Sequence, residues 1–358
     1  MVNIGYYLGF SHFLGIGPVR FQALLNRFSS VKDAYLADQS QLREILGENL
    51  AKKFIEFRKQ FDWEKKVLEL EKKKIKIVTQ EDKQYPVGLK NINDPPICFY
   101  LKGELPASTK IFLAIVGTRK ATDYGLKTAF NLALALAEAG LIIVSGMALG
   151  IDTQAHWGAL QAGEKTVAVL GCGVDIVYPA ANRPLYQKIL SCGGGIISEF
   201  PPGQLVQKGL FIARNRIISG LAKAVLVVEG AEDSGALITA RYAAEQGKEV
   251  LAVPGPISSA VSAAPNNLIK QGARLVTSVD DIFEALDLKI KPKKQETVLN
   301  QLTKEEKDIF SLLVEGPKSV DDLFQETKKP VAEILKIVSL LEIKQLIRKN
   351  PQGSYESF

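Results

Sequence analysis

From about Ile111 to Leu286, short β-branched runs alternate with stretches of helical periodicity, and few folds satisfy that alternation. The runs are Ile111–Val116, Leu141–Ser145, Thr166–Leu170, Gly195–Ser198, Ala224–Val228, Glu249–Val253 and Arg274–Val276. Each is a near-continuous apolar strand, as expected when both faces are covered, and the spacings between them suit crossover helices. The expected fold class is therefore α/β, a parallel sheet with helices on both faces. Right-handed crossovers bring the strand-end loops to one side, and in open α/β sheets ligands bind at that carboxyl edge. The loops to watch are Gly117–Lys120, Ser145–Asp152, Gly171–Gly173, Glu199–Arg216 and Glu229–Thr239.

Two flanking segments differ in pattern. Residues 1–75 read as helices. The turn Leu14-Gly-Ile-Gly-Pro18 resembles a helix-hairpin-helix, and Phe21, Leu24, Leu25 and Phe28 follow it at helical spacing. Pro18 suits a first helical turn. The sheet region is expected to span 76–288, followed by a lysine-rich linker over 289–300. Residues 301–358 show three helical patterns and then Ile347-Arg-Lys-Asn-Pro-Gln-Gly, a helix-then-hairpin order that resembles a winged helix. Its third helix carries Lys336 and Glu333, a weak set for reading a major groove, so protein contact is an equal expectation.

Composition bounds the chemistry. Forty-five Lys and Arg against thirty-nine acids give a net charge of +6, which permits a polyanionic partner without proving one. The cysteines, Cys98, Cys172 and Cys192, lie far apart, so neither a disulfide framework nor a metal site is expected. No apolar stretch approaches the roughly 20 residues needed to span a bilayer, and a cytoplasmic protein without membrane partners is expected. Only His12 and His156 occur. His156 reads as a packed histidine, and catalytic residues are expected to be absent. Glu164 interrupts Gly163 and Lys165, which rules out P-loop mechanics, and Gly171-Cys-Gly173 lacks the third glycine of a dinucleotide fingerprint. No cofactor is expected.

Binding elements remain. Gly117, Thr118, Arg119 and Lys120 end the first strand, with a helix starting near Thr122 whose backbone amides and Arg119 suit an anion. Ser145 and Gly146 open a turn, closed by Gly150, at another helix N-terminus suited to phosphate. Lys208, Phe211 and Arg214 place cation, aromatic and cation along what reads as a flexible loop, which suits a single strand whose bases stack on an aromatic face. Asn215 and Arg216 follow, and Arg241, Lys248 and Lys270 extend the basic strip.

At these residues the chain resembles the DNA processing protein A family, also called Smf. The resemblance rests on Val116-Gly-Thr-Arg119, Ser145-Gly-Met-Ala-Leu-Gly-Ile-Asp152, Ser198-Glu-Phe-Pro-Pro202, Arg214-Asn-Arg-Ile-Ile-Ser-Gly-Leu221 and Gly235-Ala-Leu-Ile-Thr-Ala-Arg241. It implies a helical N-terminal domain of sterile-alpha-motif type, an extended Rossmann domain and a winged helix. It also implies a non-enzymatic role: binding and protecting single-stranded DNA and loading the recombinase RecA onto it during natural transformation, usually as a homodimer. Carried over by motif, the DNA-contacting arginine is Arg119, the loop lysine Lys208 and the stacking aromatic Phe211. The alternative is a Rossmann-type nucleotide phosphoribohydrolase, but Val228-Glu-Gly-Ala-Glu-Asp-Ser-Gly235 stands where such enzymes carry Pro-Gly-Gly-x-Gly-Thr.

Overall fold

The structure, a computed structural model, describes residues 2–107, 109–288, 302–344, 346–350 and 353–357. The segment 289–300, read above as a linker, lies outside them. Two compact units emerge, Met1–Lys289 and Ile290–Phe358.

The first unit opens with six helices: α1 (Val2–His12), α2 (Pro18–Arg27), α3 (Val31–Leu36), α4 (Gln39–Leu46), α5 (Glu48–Gln60) and α6 (Trp63–Lys72). Their starts are locally encoded, since Ser30, Asp38 and Asp62 each accept an amide of the following first turn. Their core is aromatic: Phe10 stacks on Phe54 at 5.2 Å and meets Phe21 and Tyr35 edge-on.

Next in the chain come β1 (Ile75–Thr79), α7 (Val87–Lys90), β2 (Cys98–Gly103), β3 (Phe112–Val116), α8 (Asp123–Glu138), β4 (Ile142–Ser145), α9 (Ile151–Gln161), β5 (Thr166–Val169), α10 (Arg183–Ser191) and β6 (Gly195–Ser198). The unit finishes with α11 (Lys208–Leu221), β7 (Ala224–Val227), α12 (Gly235–Glu245), β8 (Glu249–Ala252), α13 (Ala263–Lys270), β9 (Arg274–Leu275) and α14 (Val279–Ala285). All seven strands read from the sequence are present, within a residue at each end. The sheet has nine strands in the order β1-β2-β6-β5-β4-β3-β7-β8-β9. β3 to β9 pair in parallel, while β2 runs antiparallel to both β1 and β6. Neither antiparallel strand is among the seven runs read from the sequence, and β1 begins at Ile75, where helices were expected to end.

Alternate residues of the strands feed two cores. Val167, Val169, Phe99 and Leu101 face one, and Ala168, Leu170, Cys98 and Tyr100 face the other. The second is continuous with the helical segment's core, and Ser11 Oγ lies 2.9 Å from the Tyr100 hydroxyl. Chain order reverses between β3 and β7, whose partners diverge to opposite sides, and this switch point is where the site forms.

The second unit has helices Lys304–Glu315, Val320–Thr327 and Val331–Ile343 and an antiparallel pair, Ile347–Lys349 with Tyr355–Ser357. Thr303 and Ser319 begin two of the helices with capping boxes. Ile309, Leu323, Ile334 and Val338 form its core. This is the expected helix-then-hairpin order.

Candidate nucleic-acid interface

At the carboxyl ends of β3 and β7 a cleft of about 790 Å³ opens, lined by Gly117–Lys120, the cleft-facing stripe of α11 and the start of α12. Helical periodicity explains the stripe, since Lys208, Phe211, Ile212, Asn215 and Ile218 recur at three- and four-residue steps. The expected flexible loop is therefore corrected: Lys208 is the first residue of a helix and Phe211 lies within its first turn. Gly171 allows that turn to come close, because a Cβ there would stand 2.8 Å from Phe211 Cδ1.

Phe211 is the hub of the cleft. Its ring lies 5.5 Å from that of Tyr178, and the Arg119 and Arg214 guanidiniums sit 5.4 and 6.0 Å from its centroid. Arg119, Lys120 and Lys208 are solvent-exposed. Gln207 precedes α11 without capping it through its side chain, so the first amides of α11 open beside Lys208.

Other helix starts near the cleft are occupied by the chain's own groups. Asp152 accepts the amides of Gly146 and Ala148 at 3.1 and 3.4 Å. Glu229 accepts the amide of Thr122 at 2.9 Å and its hydroxyl at 2.5 Å. Ser234 caps α12. The phosphate seats expected at Ser145–Gly146 and near Thr122 are therefore corrected: carboxylates stand there, and Ser145 Oγ donates to Ile115 O at 2.6 Å. Gly150 holds the turn, with φ of +77° and no room for a Cβ beside Thr118 O at 2.3 Å.

Burial corrects two of the expected arginines. Arg214 is 4% exposed, and its guanidinium donates to Gly146 O at 2.8 Å, to Val169 O and to Asn215 Oδ1 at 3.1 Å. Desolvation lowers its pKa to about 10, which Asp152 partly opposes, and burial raises that of Asp152 against Arg214's pull. Arg214 thus braces the cleft that it also lines, held by carbonyls beside Phe211. Arg216, 3% exposed, faces away, paired with Asp94 at 2.8 Å and Glu199 at 2.5 Å. Asn215 lines the cleft, but its amide is committed to Arg214 and to Gly235 O at 3.3 Å.

The distant basic strip does not assemble here. Lys248 precedes β8 and Lys270 ends α13, which places both toward the amino edge of the sheet, and Arg241 pairs with Glu245 at 2.8 Å outside the cleft lining. Ile212 and Asp233 line the cleft from loops marked in the sequence without being singled out there, and Tyr178 and Ile218 line it from outside those loops. Ser234, beside Asp233, carries a local signal of its own, a serine ahead of an apolar helical run.

His156 is fully buried, with Nδ1 2.7 Å from Thr166 Oγ1 and a pKa lowered to about 3 by desolvation; it is a packed core residue. Among the described residues no cluster of three or more His, Cys, Asp or Glu is arranged to hold a metal ion, and no helix is long and apolar enough to cross a membrane.

Comparison with known proteins places this geometry. Residues 76–287 match the family model described as DNA recombination-mediator protein A, and residues 293–353 match the DprA winged helix domain. The chain is 36% identical over 292 residues to Protein Smf of Synechocystis sp., spanning 78% of this chain and 72% of that one. It is 42% identical over 213 residues to the DNA processing protein DprA of Bacillus subtilis, spanning 59% and 71%. Among solved structures, DNA processing protein A of Streptococcus pneumoniae superposes with a TM-score of 0.68 at 36% identity, covering 78% of this chain and 95% of that one. That of Helicobacter pylori, described for its single-stranded DNA binding mode, superposes at 0.53 and 30% identity, covering 59% and 95%. With its sheet, its switch-point cleft and its winged helix, the chain belongs to the DNA recombination-mediator protein A family.

Proposed function

We propose that this chain binds single-stranded DNA in the switch-point cleft, protects it, and passes it to RecA recombinase, working as a homodimer without making or breaking a bond. The observation that carries the reading is the joining of three exposed cations, Arg119, Lys120 and Lys208, to the Tyr178–Phe211 aromatic pair in one cleft. Cations follow a phosphate backbone, and an aromatic face stacks on a base with about 1–3 kcal/mol per base whatever its identity. Paired bases in a duplex present no free face. The Helicobacter pylori relative's single-stranded DNA binding mode supports the same reading.

Fluorescence anisotropy with a labelled oligothymidylate, a duplex competitor and varied salt tests the binding. Three phosphate contacts predict a slope of log affinity against log salt of about −2. Equal affinity for duplex and single strand overturns the reading. Light scattering tests the dimer, and the rate of RecA filament assembly on single strands tests the transfer. Release of base from a nucleoside monophosphate would favour the phosphoribohydrolase alternative instead.

A further inference from the structure

Resting on the single-strand reading, we propose that Asp233 reads the Watson–Crick edge of a base seated in the cleft and favours guanine.

The cleft lining is divided by chain segment. Its exposed cations come from the loop after β3 and from the start of α11, whereas the turn into α12 supplies Asp233, Ser234 and Gly235, followed by apolar Ala236 and Ile238. A phosphodiester is drawn to the first group and repelled by a carboxylate. The strand therefore lies with its backbone along Arg119 and Lys208 and its bases toward α12.

Asp233 differs from the other carboxylates nearby. Asp152 is committed to backbone amides and Glu229 to Thr122. Asp233 is exposed and forms no hydrogen bond or ion pair among the described residues. Its turn is nonetheless fixed, because Ser234 N donates to Ala231 O at 3.0 Å, Gly230 N to Val261 O at 2.6 Å and Ala264 N to Gly230 O at 2.8 Å. An unpartnered acceptor pair on a rigid turn within a phosphate cleft suits a ligand bearing two adjacent donors.

Among bases, guanine meets that demand. Its N1–H and 2-amino group point the same way and donate to both oxygens of a carboxylate. Adenine and cytosine set an acceptor nitrogen beside their amino group, and thymine sets its N3–H between two carbonyls. Glu232, adjacent in sequence and equally charged, does not line the cleft, which provides a control for charge alone.

The test measures anisotropy of the full chain with three probes: oligothymidylate, the same oligonucleotide with interspersed guanines, and its inosine counterpart, which lacks the 2-amino group. Guanine is expected to tighten binding about tenfold, with inosine between the two. Asp233→Ala and Asp233→Asn, at an exposed position, are expected to abolish that advantage, and Glu232→Ala to keep it. Equal affinity for all three probes, or an advantage that survives Asp233→Ala, overturns the proposal. Failure of the wild type to bind any probe removes the single-strand reading, and this proposal with it.

Discussion

The Glu229 carboxylate grips Thr122 twice, through the backbone amide at 2.9 Å and the hydroxyl at 2.5 Å, and so ties the end of β7 to the start of α8 across the switch point. Glu229 is 3% exposed while Thr122 is exposed, so truncation removes two charge-assisted bonds rather than stranding buried groups. Glu229→Ala should lower unfolding free energy by about 1–3 kcal/mol in urea with the m-value unchanged. Glu229→Gln, which keeps one acceptor, should lose less. Equal losses in the two variants would show that one retained acceptor restores nothing, and no loss in Glu229→Gln would show that the second bond carries no weight.

Cations in and out of the cleft should behave differently. Arg119→Ala and Lys208→Ala should each weaken oligothymidylate binding about tenfold and flatten the salt slope by about 0.7. Lys248→Ala and Lys270→Ala, toward the opposite edge of the sheet, should leave both quantities unchanged. A strip of basic residues acting by net charge would move all four variants alike, and that pattern would refute the localised cleft.

Arg216 should matter for stability. Removing it leaves Glu199, 10% exposed at its side chain, as an uncompensated buried acid, so Arg216→Met should lower stability by about 3–5 kcal/mol. Adding Glu199→Leu should restore much of that loss, which denaturation of the double variant measures. No restoration would mean that Asp94 or packing governs the site.

His156 predicts an acid-side slope. Its folded pKa is lowered from 6.5 to about 3, so the folded chain binds fewer protons than the unfolded chain between those values. Stability from this group is full above the unfolded value and is lost as pH falls, by about 2 kcal/mol between pH 7 and pH 5. Asp152 and Glu199, whose pKa values burial raises, act in the opposite sense, since their ionisation as pH rises costs stability. Comparing wild type with His156→Gln across that range isolates the histidine, and parallel curves would contradict its burial in the neutral form.

Legibility in the sequence followed the range of the interactions. The seven parallel strands are short buried runs set apart by helical spacing, and each announces itself locally. β1 and β2 do not: Ile75–Thr79 continues a lysine-rich helical stretch, and its strand character depends on pairing with Cys98–Gly103. The same holds within the site. Arg119 was singled out because a strand end is a local feature, and Lys208 on its spacing to Phe211 in what read as a loop, although it begins a helix. Arg214 and Arg216 look alike in sequence, yet one is claimed by carbonyls 45 and 68 residues away and the other by Glu199 and Asp94. No periodicity reports a partner at that distance. Glu229 was missed as an internal anion for the same reason, its partner Thr122 lying 107 residues away, whereas Asp152 holds amides only four and six residues away.

Those two carboxylates mean that the cleft is already shaped before any strand arrives. Loops that wait for a phosphate to order them lose chain entropy at each encounter, and that loss weakens affinity and slows capture. Here the loop after β4 and the start of α8 are set by side chains of the fold itself. Under the proposed reading, a strand meets a rigid surface held by few contacts and can leave without any loop unfolding behind it, a kinetic character suited to a protein that must surrender what it holds.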